Sequence, residues 1–224
     1  MSYILNIETA TTNCSVSLSY KGGTLVLKED YGNGYSHAEK LHVYIDEILK
    51  EAKITSNQLE AIAVSKGPGS YTGLRIGVST AKGLCFALDK PLISVSTLKA
   101  LALQVQAKSG VIVPMLDARR LEVYSAIYDT DYNEVRNIEA QILDENAFKK
   151  QLDKGLVYFI GDGVEKTKTL IQHKNAVFIE GKLPSSNQMS VLAFNKHKKS
   201  DTEDVAYFEP YYLKDFVGVK IKKQ

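Results

Sequence analysis

The sequence contains little cysteine, and what it contains forms no metal-binding or redox motif. Cys14 and Cys85 are its two cysteines, and each lies in an apolar run, NCSVSL or GLCFAL. No C-x-x-C spacing occurs, so neither a zinc ribbon nor a redox motif is encoded. We therefore predict two buried free thiols in a reducing, cytoplasmic environment.

Long apolar runs are also missing. No stretch approaches about 18 uninterrupted apolar residues, so we expect no transmembrane helix and no membrane partner. The opening MSYILNIETATTN lacks a basic region and reaches a carboxylate at Glu8, which is not the pattern of a secretory signal.

Neither sign of charge dominates. Lys and Arg total 28 and Asp and Glu total 26, giving a net charge of +2, so the overall field is not that of a basic nucleic-acid-binding domain. Hydrophobic residues make up 44% and charged residues 24%, which excludes a disordered tail or a coiled-coil rod. A length of 224 residues fits one large domain or two small lobes.

The periodicity of apolar residues predicts two halves with the same order of elements. Residues 1–108 favour two strands joined by a glycine turn, a helix with a capping-box pattern at Ser36 and Glu39, and then alternating strands and helices. Residues 109–224 repeat this order, including a predicted helix at 145–152. We predict an α/β protein with two lobes, 1–108 and 109–224, each with three antiparallel strands continued by parallel crossovers. This is the layout of the actin, Hsp70 and sugar-kinase superfamily.

The most informative segment is the glycine-rich loop GPGSYTGLRIG, residues 67–77. It follows a predicted strand and opens a helix, where exposed backbone N–H groups attract anions. It matches neither the P-loop, because Leu74 and Arg75 follow the glycine, nor the dinucleotide pattern, because Thr72 stands at a required glycine. A structural tight turn and an anion site both remain open.

The helix that follows carries small residues four apart, at Gly73, Gly77 and Ala81. Glycine within a helix costs about 1 kcal/mol relative to alanine, a loss that close approach of another backbone can offset. The remaining positions are apolar nearly all round. This composition indicates either a deeply buried helix or one that is half core and half interface.

The segment GPGSYTGLRIGVSTAKGL resembles the signature of the TsaB (YeaZ-like) family of bacterial tRNA threonylcarbamoyladenosine biosynthesis proteins. The pieces ILNIETATTNCSVSL, HAEKLHVYIDEIL, PMLDARRLEVYSAIY, GDG and PYYL also match that family in order. The resemblance covers most of the chain. It implies a two-lobed actin-like (ASKHA, duplicated RNase H-like) fold in reduced form.

The resemblance also implies a partner subunit without catalytic residues of its own. Family members pair with a larger paralogue, TsaD, which holds the metal and transfers a threonylcarbamoyl group to N6 of the adenosine beside the anticodon. The acceptor tRNAs read codons that begin with A. A small ATPase, TsaE, joins the complex, and the chain contacts tRNA as part of that complex. When TsaD is absent, the same pairing surface can form homodimers.

The family's pairing surface uses the first-lobe helices, here about 36–51 and 72–88. The predicted interface residues are Leu41, Tyr44, Ile45, Ile48, Gly73, Arg75, Gly77, Val78, Ala81 and Lys82.

An actin-like ATPase needs two phosphate hairpins in which glycine lets backbone N–H groups reach the phosphates. Here the hairpins read ETAT from Glu8 and DARR from Asp117, without glycine. Asp117 and Arg119 could form an internal ion pair or bind an anion. Gly161, Asp162 and Gly163 stand where such folds contact adenosine, although a strand-to-helix turn explains them equally well. We predict that the isolated chain binds ATP or ADP weakly or not at all, with binding at a complex interface left open.

Other catalytic motifs are missing. His37 and His42 are five residues apart, about 140° around a helix, so they cannot share one metal ion. Neither HExxH nor G-x-S-x-G occurs, so we predict no metal ligands and no catalytic residues. We expect His37 at the surface, and Tyr211 and Tyr212 packed at the end of the second lobe. The alternatives are a small ATPase or phosphotransferase of the same superfamily, and the transferase itself.

Overall fold

The computed structural model describes residues 2–31, 34 and 36–214, and contains two five-stranded sheets. The first sheet is formed by β1 (Tyr3–Glu8), β2 (Cys14–Tyr20), β3 (Gly23–Asp30), β4 (Leu59–Ser65) and β5 (Leu92–Val95). The second is formed by β6 (Val111–Asp117), β7 (Glu122–Tyr128), β8 (Glu134–Ile142), β9 (Val157–Ile160) and β10 (Ala176–Ile179). The α-helices are α1 (His37–Glu51), α2 (Tyr71–Leu88), α3 (Thr97–Ala102), α4 (Lys149–Leu152), α5 (Val164–Leu170) and α6 (Ser186–Lys198), and a 3₁₀ turn spans Ser56–Gln58.

The two sheets have the same topology. Their strand orders are β3-β2-β1-β4-β5 and β8-β7-β6-β9-β10, with the first three strands of each antiparallel and the last two added in parallel. Parallel neighbours need crossover connections, and the helices provide them. The predicted duplicated α/β architecture is therefore confirmed. No helix of the described residues is long and apolar enough to span a membrane.

Helices α1 and α2 cover one face of the first sheet. Leu41, Ile45 and Ile48 recur at helical spacing on α1 and are buried in a core that also holds residues of β1, β2 and β4. Complete burial of such a side chain contributes roughly 1.5–3 kcal/mol. Cys14 and Cys85 lie in the same core as free thiols, as predicted.

Helix α6 covers the opposite face of the first sheet, although it follows the second sheet in the chain. Met189 and Ala193 pack in a cluster with Ile4 and Ile93. Beside them lies a polar seam, in which the Ser15 and Ser186 hydroxyl oxygens are 2.7 Å apart and the Ser17 hydroxyl donates to the Ser186 carbonyl. The division at residue 108 stays a prediction, but α6 packs with the first lobe. Sequence order alone cannot show such a return of the chain.

Two local predictions were wrong. The Ser36 side chain does not cap α1, because its hydroxyl donates to Asp30 Oδ2 at 2.6 Å instead. The predicted helix at 145–152 shrinks to α4, because the Asp144 carboxylate accepts the Asn146 N–H and Phe148 adopts a left-handed conformation.

Candidate functional site: the interlobe cleft and the outer face of α1 and α2

The glycine-rich loop connects β4 to α2 and is packed against the β1–β2 hairpin. The Ser70 N–H donates to the Ala10 carbonyl at 2.7 Å, and the Ser70 hydroxyl caps α2 by accepting from the Gly73 N–H. A Cβ at Gly69 would lie 2.4 Å from the Ala10 carbonyl oxygen, and one at Gly73 would lie 2.1 Å from the Thr9 carbonyl oxygen. These glycines permit close contact within the chain, which supports the structural-turn interpretation over an anion site.

The small-residue ridge of α2 faces the protein's own interior. A Cβ at Gly77 would lie 2.2 Å from Thr9 Oγ1, whose hydroxyl donates to the Gly73 carbonyl at 2.8 Å. Ala81 is fully buried in the first core. The group that closely approaches this ridge is the β1–β2 hairpin of the same chain. The small residues of the ridge therefore do not by themselves indicate a pairing surface between chains.

The predicted interface residues divide into two groups. Seven are buried inside the lobe: Leu41, Ile45, Ile48, Gly73, Gly77, Val78 and Ala81. Tyr44 and Lys82 are half-buried, and Arg75 is exposed. Of the predicted interface residues, only these three can reach a partner without rearrangement of the lobe. The helical period of the sequence shows that a helix has an apolar face, but it does not show which of several apolar positions stay exposed.

The outer face of α1 and α2 carries apolar side chains that sequence reasoning did not single out. Phe86 on α2 is 87% exposed, and Val43 on α1 is also exposed. Ser79 and Gly83 lie exposed on α2 as well. The signal for Phe86 was present, since it lies nine residues after Gly77 and hence on the side of the helix away from the buried ridge.

The C-terminal strap, residues 203–214, runs along the edge of the first lobe into the cleft between the lobes. The Glu203 N–H donates to the Leu92 carbonyl at 2.8 Å, and the Lys82 ammonium donates to the Ala206 and Phe208 carbonyls at 3.0 and 3.1 Å. The Tyr211 N–H donates to the Lys66 carbonyl at 2.7 Å. Lys82 therefore fastens the strap to α2.

Tyr211 and Tyr212 do not pack at the end of the second lobe, as the sequence had suggested. Both are exposed, and they lie against the glycine-rich loop of the first lobe. The Tyr212 ring packs against Tyr71 with centroids 4.9 Å apart and the ring planes tilted by 37°, and the Arg75 guanidinium lies 4.7 Å from the Tyr71 centroid. The strap brings these residues together across about 140 positions of sequence, which no local pattern records.

The carboxylate of the first hairpin lies inside the protein. Glu8 is fully buried, and its Oε1 accepts from the Ala10 N–H at 2.7 Å. Burial of the carboxyl group raises its pKa to about 7. His37 is also buried, against expectation, because its Nε2 lies 2.8 Å from the Thr11 carbonyl oxygen and its ring fills space beneath this hairpin. Burial lowers the pKa of His37.

The second hairpin is held by a lysine that sequence reasoning missed. Asp117 pairs with Lys166, whose Nζ lies 2.7 Å from Asp117 Oδ1 and 3.0 Å from the Arg120 carbonyl oxygen. The predicted Asp117–Arg119 ion pair is absent, because Arg119 offers Asp117 only its backbone N–H, at 2.6 Å. The Arg119 side chain is left exposed.

Gly161, Asp162 and Gly163 form a strand-to-helix turn packed against the second hairpin. Gly161 has φ 119°, and a Cβ there would lie 2.0 Å from the Met115 carbonyl oxygen. Asp162 Oδ1 accepts from the Asp117 N–H at 2.8 Å. Asp162 as a residue is exposed, but enclosure of its carboxyl group by the hairpin raises its pKa.

A cleft of about 730 Å³ lies between the lobes. The glycine-rich loop and the strap line one wall, and the second hairpin lines the other. Of the candidate nucleotide residues, Asp117, Arg119 and Asp162 line this cleft, whereas Glu8, Gly161 and Gly163 do not. Among the described residues, no group of three His, Cys, Asp or Glu side chains is placed to hold a metal ion.

Comparison with known proteins agrees with this architecture. Residues 33–221 match the family model described as "TsaD: tRNA N6-adenosine threonylcarbamoyltransferase". The "tRNA threonylcarbamoyladenosine biosynthesis protein TsaB" of Escherichia coli K12 is 31% identical over 97% of this chain and 96% of its own length. That of Bacillus subtilis 168 is 30% identical, covering 94% and 93%. A solved structure described as "YeaZ from Pseudomonas aeruginosa" is 26% identical, with a TM-score of 0.79 over 95% of this chain and 100% of that one.

Proposed function

Because the chain belongs to the TsaB family of tRNA threonylcarbamoyladenosine biosynthesis proteins, we propose that it pairs with and activates a larger, TsaD-like paralogue. In this proposal the chain supplies no catalytic residue. The paralogue transfers the threonylcarbamoyl group to the adenosine beside the anticodon of tRNAs that read codons beginning with A. A TsaE-like ATPase joins the pair, and the chain forms homodimers through the same surface when alone.

The observation that carries the pairing proposal is the exposure of Phe86 on the outer face of α2. Burying a phenylalanine side chain contributes roughly 1.5–3 kcal/mol, and here that contribution is unused within the chain. Val43 and the half-buried Tyr44 extend apolar surface onto the adjacent α1. Aromatic side chains of this kind form the centres of protein interfaces. The three accessible members of the predicted interface, Tyr44, Arg75 and Lys82, lie on the same two helices.

The closed hairpins support a non-catalytic role. A phosphate-transfer site of this fold needs an accessible carboxylate and backbone N–H groups that can approach the phosphates. Glu8 is sealed inside the first hairpin, and the Lys166 ammonium already occupies the oxygen atoms of the second. The superfamily alternative, a small ATPase or phosphotransferase, has no observation of this kind in its favour.

The test is the affinity of the purified chain for the TsaD-like paralogue of the same genome, measured by calorimetry. We expect Phe86→Glu to weaken binding by roughly 30-fold or more, the loss typical of an interface hot spot. The matched control is Ile142→Glu, which changes a 73% exposed apolar residue on β8 of the second lobe. Equal effects of both variants, or no binding by the unaltered chain, would contradict the proposal. Circular dichroism of each variant shows whether its fold is retained.

A further inference from the structure

The tip of the β6–β7 hairpin holds two consecutive arginines in the left-handed conformation. Arg119 has φ 69° and Arg120 has φ 51°. Paired left-handed residues at a hairpin tip are ordinarily Asn-Gly or Asp-Gly, because a side chain with a bulky Cβ is disfavoured there. The hairpin therefore carries backbone strain to present two arginines. Strain of this kind is commonly retained where the side chains have a function.

Two of the acidic groups near this tip are paired with lysines of the same chain. Asp117 pairs with Lys166, and Glu122 pairs with Lys214. Within residues 2–31, 34 and 36–214, neither the Arg119 nor the Arg120 guanidinium forms an ion pair. The residues that line the cleft include three acids, Asp117, Glu122 and Asp162, and three bases, Arg119, Arg120 and Lys214. The two arginines are the cations that remain free to meet an anion in the cleft.

The opposite wall of the cleft is aromatic. Tyr71 and Tyr212 line it with ring centroids 4.9 Å apart and tilted ring planes, and the Arg75 guanidinium lies 4.7 Å from the Tyr71 centroid. Tyr212 keeps 36% of its surface exposed. Tyrosine rings and arginine planes are the surfaces on which unpaired bases stack. The cleft thus offers two kinds of contact, cationic on one wall and aromatic on the other.

We propose that the interlobe cleft binds a single-stranded segment of RNA, with phosphates at Arg119 and Arg120 and a base stacked on Tyr212. This inference rests on the proposed function, because the family's pathway acts on tRNA. A free nucleoside triphosphate fits less well, since the glycine-rich loop uses its N–H groups of Ser70 and Gly73 within the chain. An acidic protein segment would engage the arginines but leave the exposed tyrosine without a role.

The first experiment replaces the strained arginines with the residues that their conformation prefers. The probe is a fluorescein-labelled 12-nucleotide single-stranded RNA of mixed sequence, followed by anisotropy with the full-length chain. For Arg119→Asn with Arg120→Gly, loss of two phosphate contacts predicts roughly 25-fold weaker binding at 0.1 M salt and a salt slope smaller by about 1.4. The same variant should melt a few degrees higher than the unaltered chain, because the turn is relieved.

A matched control is available in the same chain. Lys21 and Lys53 are also left-handed, and they lie outside the cleft. The double variant Lys21→Asn with Lys53→Asn removes the same charge from the same backbone conformation and should leave RNA affinity within about twofold of the original, as expected for distant charges screened by salt. Equal losses in both double variants would mean that only overall charge matters, and would overturn the proposal.

The stacking contact has its own test. Tyr212→Ala should weaken binding of the same RNA by roughly 5- to 150-fold, the range measured for one stacked base. Tyr207→Ala, which changes an 84% exposed tyrosine of the strap outside the cleft, is the control and should not. Unchanged RNA binding by Tyr212→Ala would overturn the base-stacking contact.

The outcomes separate this inference from the proposed function. If the paralogue binds the chain but the RNA does not, the pairing proposal stands and the cleft proposal fails. If the arginine variant loses the paralogue and keeps the RNA, the arginines belong to a protein contact and the cleft proposal fails. If RNA bound in the cleft is displaced by equimolar ATP, the ligand is a free nucleotide and the cleft proposal fails.

Discussion

Glu8 gives the account its sharpest thermodynamic prediction. Its carboxyl group is fully buried, and burial raises its pKa from 4.5 to about 7, against smaller opposing effects of hydrogen bonds such as that from the Ala10 N–H. Between these two pH values the folded protein holds a proton that the unfolded chain has released. Stability from this group is therefore complete below pH 4.5, falls as pH rises to 7, and is constant above.

The magnitude follows from the difference of the two pKa values. The difference between 4.5 and about 7, at 1.36 kcal/mol for each step of one in pH, corresponds to about 3 kcal/mol lost above pH 7. Glu8→Gln keeps an oxygen for the Ala10 N–H and cannot ionise. The unfolding free energy of the variant minus that of the unaltered chain should therefore increase by about 3 kcal/mol as the pH rises from 4.5 to 8.

The assay is urea denaturation of both proteins at several pH values across this range, with the difference in unfolding free energy as the readout. Glu145→Gln, which changes an exposed carboxylate without an ion pair among the described residues, is the control. A difference in unfolding free energy for Glu8→Gln that stays constant from pH 4.5 to pH 8 would contradict this prediction. It would mean that Glu8 is ionised in the folded protein and that its environment is more polar than its burial indicates.

Two further predictions follow from the site. Gly77→Ala should destabilise the chain by about 1–3 kcal/mol in urea denaturation, because the added Cβ would meet Thr9. Gly83→Ala, on the open side of α2, should instead stabilise the chain by up to about 1 kcal/mol. Similar effects at both positions would contradict the orientation given to α2. Calorimetric titration of the isolated chain with ATP should show no micromolar affinity, since side chains fill both hairpins, and micromolar binding would restore the phosphotransferase alternative.

The elements of the fold were largely predictable because each has a local signature. Helix α2, predicted at about 72–88, begins one residue earlier, at Tyr71, and ends at Leu88. The repeated order of elements also predicted the duplicated sheets. Local period and turn chemistry decide these features, and both are present in a short window of sequence.

The site was less predictable because its contacts join distant parts of the chain. Lys166 reaches Asp117 across 49 positions, and Tyr212 reaches Tyr71 across 141. The ridge at Gly77 was read correctly as a place of close approach, but the approaching group is Thr9 of the same chain. A single sequence records that a helix has an apolar face, and only the packed structure shows which neighbour occupies it.

The central claim is that this chain works as a partner subunit, and the most direct measurement is a tagged pull-down from its own cells. Captured proteins would be identified and quantified by mass spectrometry, with the Phe86→Glu chain processed in parallel. We expect a TsaD-like paralogue in roughly equimolar amount with the unaltered chain, and much less with Phe86→Glu. Recovery of the unaltered chain alone, together with measurable ATP turnover, would contradict it.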